Sequence, residues 1–156
     1  MIRTAIVEDV PTILRLVREL ADYERALHEV QATEEDLRTG LFGPEPRAFA
    51  HVAEHEGEVV GFALWFLTYS TWTGRHGIHL DDLYVSPDAR GHGYGKALLT
   101  ELGRIADERG YGRVEWAVLN WNESAIGFYK SLGALPQDQF TIYRVAGDAI
   151  TRLAEG

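Results

Sequence analysis

The chain of 156 residues has no cysteine, one methionine and five prolines. Without cysteine there is no disulfide framework, no thiolate zinc site and no thiol nucleophile to carry an acyl group. Positive charge is also scarce: 15 lysines and arginines against 24 acidic residues leave a net charge of −9. A nucleic-acid binder needs a basic footprint to displace counterions from phosphates, so the balance argues against that class. No apolar run approaches the roughly 20 residues that span a bilayer, and no basic-plus-apolar leader opens the chain. The six histidines form no HExxH pattern. His76 and His79 fall on opposite sides of a strand, while His51 and His55 flank a surface turn, so no metal is expected. Together these absences predict a cytoplasmic protein with neither nucleic-acid nor membrane partners.

What remains is an ordinary globular composition, 46% hydrophobic and 25% charged. With no repeat, linker or low-complexity tract, one domain over 1–156 is expected. The negative field suits a cationic substrate. An anionic cofactor would need a locally basic site or backbone N–H groups.

Hydropathy periods predict the order βααβββαβαβ, an α/β domain with a mixed central sheet flanked by helices. A short strand at 2–5 precedes a helix that Asp9 can cap, with Pro11 in its first turn. "TEED" from Thr33 resembles a capping box for a second helix ending at Gly40. Residues 48–69 read as two strands joined at Glu56-Gly57, and "HLDDLYV" (79–85) as a third. A helix closed by Gly110 follows, then a strand over 114–119. A helix over 122–132 is capped by Asn122, a last strand covers "FTIYRV" (140–145), and a short helix follows Gly147-Asp148.

The densest glycine stretch, "PDARGHGYGKALL", lies between the third of those strands and a helix. It is not a Walker A loop, because Arg90 stands where the first glycine should be and Ala97 where Ser or Thr should be. It is not a dinucleotide fingerprint either, since Lys96 occupies the third glycine position. The pattern R-x-x-G-x-G is left. Free N–H groups at the start of a helix, its dipole, Arg90 and Lys96 make a competent pyrophosphate seat. A simple turn would need one glycine, not three.

With that loop, "LDDLYVSPDARGHGYGKALL" resembles the signature strand–loop–helix of the GNAT family of N-acetyltransferases, and "NWNESAIGFYKSLGA" its later asparagine helix. The resemblance covers nearly the whole chain. "LVRELADYE", "VGFALWFLTYSTWTG" and "HLDDLYV" resemble the spermidine/spermine and thialysine branch in particular. It implies a GNAT fold, acetyl-CoA as cosubstrate and, by branch habit, a homodimer. It also implies that Leu83, Tyr84 and Val85 offer backbone groups to the pantetheine arm, joined by Asn122. Arg90, Gly91, His92, Gly93, Tyr94, Gly95 and Lys96 would take the pyrophosphate.

Acetyl transfer to an aliphatic amine, whose pKa is near lysine's value of about 10.4, needs a group to hold the ammonium and accept its proton. Asp81 and Asp82 supply adjacent carboxylates in the right strand. Asp81 stands where the branch usually has Glu, which leaves direct and water-mediated proton removal both open. By the same resemblance Tyr129 is the general acid that protonates the leaving thiolate. Tyr23, Glu24 and Asp138 match positions that contact the amine, and Trp72 fits the branch pattern of an aromatic bordering an alkylammonium. The expected activity is acetyl transfer from acetyl-CoA to a primary amine of a small cation, a polyamine or thialysine-like amino acid, by direct attack in a ternary complex. Alternatives are acetylation of a protein amine or an aminoglycoside, or a coenzyme A-binding module without turnover.

Overall fold

The computed structural model describes residues 1–156, which divide into two compact units, Met1–Ala117 and Val118–Gly156. The first unit is built on one five-stranded sheet in the order β1-β2-β3-β4-β5, with β1 Ile2–Thr4, β2 Phe49–His55, β3 Glu58–Ser70, β4 Arg75–Val85 and β5 Val114–Trp116. The first four strands are antiparallel neighbours, and β5 joins β4 in parallel. Helices α1 (Val10–Tyr23) and α2 (Glu34–Phe42) precede the β2–β4 meander, and α3 (Tyr94–Arg109) forms the crossover from β4 to β5. This is the expected mixed α/β architecture.

Apolar side chains sort by the two faces of the sheet. Ala50, Val52, Phe62 and Tyr84 lie against Ile13, Leu16 and Leu41 of α1 and α2. Leu98, Leu102 and Ile105 form the buried face of α3. Burying each of the larger aliphatic or phenylalanine side chains among these contributes roughly 1.5–3 kcal/mol.

The ends of the elements follow local chemistry with one exception. Thr33 caps α2 through its hydroxyl, with Asp36 returning the bond to the Thr33 N–H at 2.8 Å. The helix runs two residues past Gly40 to Phe42 and stops at Gly43. Asp9 precedes α1 but does not cap it. Its carboxylate instead takes both prongs of Arg3 at 2.7 and 2.9 Å and the Ile6 N–H at 2.8 Å. Burial alone would raise its pKa; those bonds reverse the effect and hold it below the usual carboxylate range.

The second unit contains α4 (Glu123–Ser131), capped by Asn122 Oδ1 accepting the Ala125 N–H, and α5 (Asp148–Glu155). The strand expected at 140–145 is not formed. Its residues alternate as a strand should, but strand propensity has no effect without a neighbour to share the ladder. Phe140, Ile142 and Tyr143 are left exposed. β5 likewise ends at Trp116 rather than 119. No helix is long and apolar enough to cross a membrane.

Candidate active site

The site is organised by an irregularity in β4. Leu64 of β3 faces Asp82, and the next residue, Trp65, faces Leu80, so Asp81 has no partner across the ladder. This is a β-bulge, and such an extra residue re-aims everything after it. Leu80 shares its face with Trp65, on the side of α3. Asp82 and Tyr84 share theirs with Leu64 and Phe62, on the side of α1. Pairing with β5 also stops at Leu80, opposite Trp116. From Asp81 to Val85, therefore, β4 has a strand neighbour on one edge only, and the other edge can accept an extended chain.

The carboxylates at the bulge differ. Asp81 is exposed and Asp82 half-buried. Burial, with the nearby charges of Asp81 and Glu24, pushes the Asp82 carboxyl up to about 7. Glu24, just past the end of α1, is itself raised by partial desolvation. Structure thus brings the adjacent pair Asp81 and Asp82 together with Glu24, which lies more than fifty residues earlier in the chain. Tyr23, next to Glu24, is linked to Tyr84 of β4 by Arg90, whose guanidinium carbon lies 5.8 Å from the Tyr23 ring centre and 5.5 Å from that of Tyr84.

Beside this corner lies a cleft of about 480 Å³ between α1 and the start of the glycine loop, bordered by Glu19, Asp22, Tyr23, Tyr84, Ser86 and Arg90. Glu19 was not singled out in the sequence. It accepts the Ser86 hydroxyl at 3.2 Å and pairs with Arg15. The available signal was its spacing, one helical turn before Tyr23.

The glycine loop meets the expected requirements for an anion. Gly91 and Gly93 have φ of +85° and +79°, left-handed values that disfavour other residues. Gly95 does not, and a Cβ on any of the three would meet nothing within 4 Å. Neither conformation nor packing inside the chain explains a glycine at 95, and the missing side chain leaves the backbone there open to close approach. Between Arg90 N, which donates to Pro87 O at 3.2 Å, and Ala97 N, which donates to Gly93 O at 2.9 Å, no backbone N–H meets a carbonyl. Those donors and the exposed Lys96 fit a pyrophosphate. Arg90 is directed elsewhere, its Nε donating to Val85 O at 3.0 Å. Leu83, Tyr84 and Val85 lie on the one-sided stretch of β4, with the Val85 carbonyl engaged by Arg90.

In the second unit, Tyr129 is half-buried on α4 with its ring 5.7 Å from that of Phe128. Asn122 is the N-cap of the same helix, and Asp138 lies exposed in a turn. Trp72, in the β3–β4 turn, is 94% exposed and so is not a packing residue. No group of three or more His, Asp or Glu side chains is arranged to hold a metal ion.

The sequence pattern of the Acetyltransferase (GNAT) family matches residues 13–134, a span that holds both the bulge and the glycine loop. The chain belongs to the GNAT family. It is accordingly an acetyl-CoA-dependent N-acetyltransferase, built on the GNAT fold. Thialysine N-epsilon-acetyltransferase of Bos taurus is 40% identical over 165 residues, covering 99% of this chain and 96% of the relative. A spermidine/spermine N(1)-acetyltransferase-like protein of Homo sapiens is 36% identical over 86% of this chain but only 20% of its own length. The branch read from the sequence is thus the one the relatives occupy. Among solved structures, an integron cassette protein of V. cholerae superposes with a TM-score of 0.82 at 27% identity, covering 100% of this chain and 98% of that one. An aminoglycoside acetyltransferase from a soil metagenome, solved with sisomicin, has a TM-score of 0.77 at 19% identity and shares the fold.

Proposed function

We propose that this GNAT enzyme, working as one domain over 1–156, acetylates a primary amine of a small cation, a thialysine-like amino acid or a diamine. The observation that carries the reading is the half-buried Asp82, pushed up to about 7 by its burial and by Asp81 and Glu24. An acidic corner attracts an ammonium group, and a carboxyl that titrates near neutrality is matched to removing its proton. Thialysine acetyltransferases at 38–40% identity support the substrate class.

In this reading Asp82, rather than the exposed Asp81, accepts the amine proton, directly or through water. Asp81, Glu24 and Tyr23 hold the cation, with Asp138 as a further acidic contact. The freed nitrogen attacks the thioester carbonyl in a ternary complex, a C–N bond forms and the C–S bond breaks. The Tyr129 phenol supplies the proton taken by the departing thiolate, and the extra proton on the newly acetylated nitrogen passes to the phenolate left behind. The backbone of Leu83, Tyr84 and Val85, with Asn122, would hold the pantetheine arm along the one-sided edge of β4. The loop from Arg90 to Lys96 would seat the pyrophosphate, and Arg90 would brace that loop against Val85, Tyr84 and Tyr23. A homodimer is part of the same reading, supported by the exposed apolar residues Phe140, Ile142 and Tyr143.

The test is thiol release from acetyl-CoA across a panel of thialysine, lysine, ornithine, short diamines, spermidine, an aminoglycoside and a basic peptide. Turnover with the small aliphatic amines is expected. Turnover confined to the peptide or the aminoglycoside would overturn the substrate class. Tyr129→Phe should lower kcat by roughly 10- to 100-fold if the phenol is the acid, and unchanged kcat would remove it from that role.

A further inference from the structure

An aromatic cluster joins the glycine loop to His55 at the far end of β2, a residue the proposed site does not use. The Tyr94 hydroxyl and His55 Nδ1 share a hydrogen bond of 2.7 Å. The His92 ring lies 4.8 Å from that of His55 and 5.9 Å from that of Tyr94, centre to centre. His92 Nδ1 donates back to the Ala89 carbonyl at 3.2 Å. The three rings therefore connect two parts of the chain that lie 39 residues apart at their closest bond.

We propose that His55 is a positioning residue for the cofactor: through Tyr94 and His92 it holds the Gly91–Gly93 span in the shape that receives the pyrophosphate. The inference rests on the reading that this loop seats coenzyme A. Two glycines at φ of +85° and +79° make the span pliant, and its own backbone supplies no carbonyl partner for its N–H groups. A pliant loop that must align several donors loses conformational entropy when an anion binds. Side chains that fix the loop beforehand remove that cost from binding.

His55 is well placed to do so. It is the last residue of β2, in register with Glu58 of β3 across the tight Glu56-Gly57 turn. Tyr94 is the first residue of α3, directly after Gly93. Their hydrogen bond ties the start of the helix to the sheet on one side of the glycine pair. Arg90 Nε on the Val85 carbonyl ties the chain on the other side. His92, between the two glycines, is held by Ala89 and by ring contact with His55 and Tyr94. His55 itself need not touch the cofactor, and the hydrogen bond with Tyr94 is the element through which it acts.

Calorimetric titration of the full chain with coenzyme A tests this, using wild type, His55→Ala, Tyr94→Phe, the double variant and His55→Gln. A net hydrogen-bond contribution near 1 kcal/mol corresponds to roughly 3- to 10-fold weaker coenzyme A binding in each single variant. The double variant should be no weaker than the weaker single, because both remove the same tie. His55→Gln, which can still bond the phenol, should recover most of the affinity. In turnover, His55→Ala should raise KM for acetyl-CoA while kcat at saturation and KM for the amine stay put, a split that general loss of stability would not give. Single variants that bind like wild type, or losses that add in the double variant, would overturn the proposal. Should His55→Ala not fold, Tyr94→Phe, which removes one oxygen atom, decides alone. If wild type itself binds no coenzyme A, the reading of the loop fails, and the role of His55 with it.

Discussion

The acidic corner and the glycine loop are built on one continuous stretch of chain, yet in the proposed function they work by opposite means. At Asp81–Asp82 the chemistry lies in side chains, and burial sets it: the same carboxyl in water would titrate near 3.8 instead of about 7. At Gly91–Gly95 the chemistry lies in the backbone, and the absence of side chains sets it. The first site is therefore sensitive to charge and insensitive to shape, and the second the reverse. Substitutions that exchange these sensitivities would undo the distinction.

The largest effect is expected at the acidic corner. Asp82→Asn removes the proton acceptor and should lower kcat/KM by roughly 100- to 10,000-fold, measured by thiol release. The same variant should be more stable than wild type. Because the folded-state pKa is raised above the unfolded value, ionising Asp82 costs stability, and the loss grows as pH rises from about 4 to about 7. The gain in melting temperature of Asp82→Asn should grow over that range and level off above it. A variant that is inactive and also less stable at pH 8 would contradict the assignment.

At the loop, Gly93→Val should act through conformation. Forcing a side chain into the left-handed region costs roughly 1–2 kcal/mol, which predicts a KM for acetyl-CoA some 5- to 30-fold higher. kcat should change less than KM, the reverse of Asp82→Asn. Gly95→Ala sharpens the point further. Position 95 is helical with open space around it, so alanine should stabilise the fold by about 0.5–1 kcal/mol while weakening coenzyme A binding. A gain in both would mean the glycine is not kept for a ligand.

The smallest effect concerns pH. kcat/KM should rise with pH and flatten above about 7, as Asp82 becomes the carboxylate that can accept a proton. Asp81→Asn and Glu24→Gln each remove a like charge, so each should shift this limb to lower pH, by less than about one unit. A shift upward would show that the limb belongs to another group.

Much of this was legible in the sequence because it rests on local rules. The Thr33 capping box, the Glu56-Gly57 turn and the glycine loop between strand and helix depend on neighbours within a few residues, and all three formed where expected. Asp9 failed as a cap because Arg3, on a different element, competes for its carboxylate. Residues 140–145 failed as a strand because alternation describes a preference, and only a partner strand can realise it.

The sequence by itself determined the family, through its resemblance to known members. It also determined the order of elements as far as α4 and the loop that can hold a phosphate, because these last two follow from residue types at short spacing. It also placed two acids side by side on one strand. Tertiary structure alone decided what those acids are. A regular strand would have put Asp82 on the same face as Leu80, toward α3. The bulge at Asp81 turns it toward α1, beside Glu24, where lost solvent and like charge raise its pKa. A register shift arises from pairing with β3 and from where β5 ends, and no run of neighbouring residues encodes it.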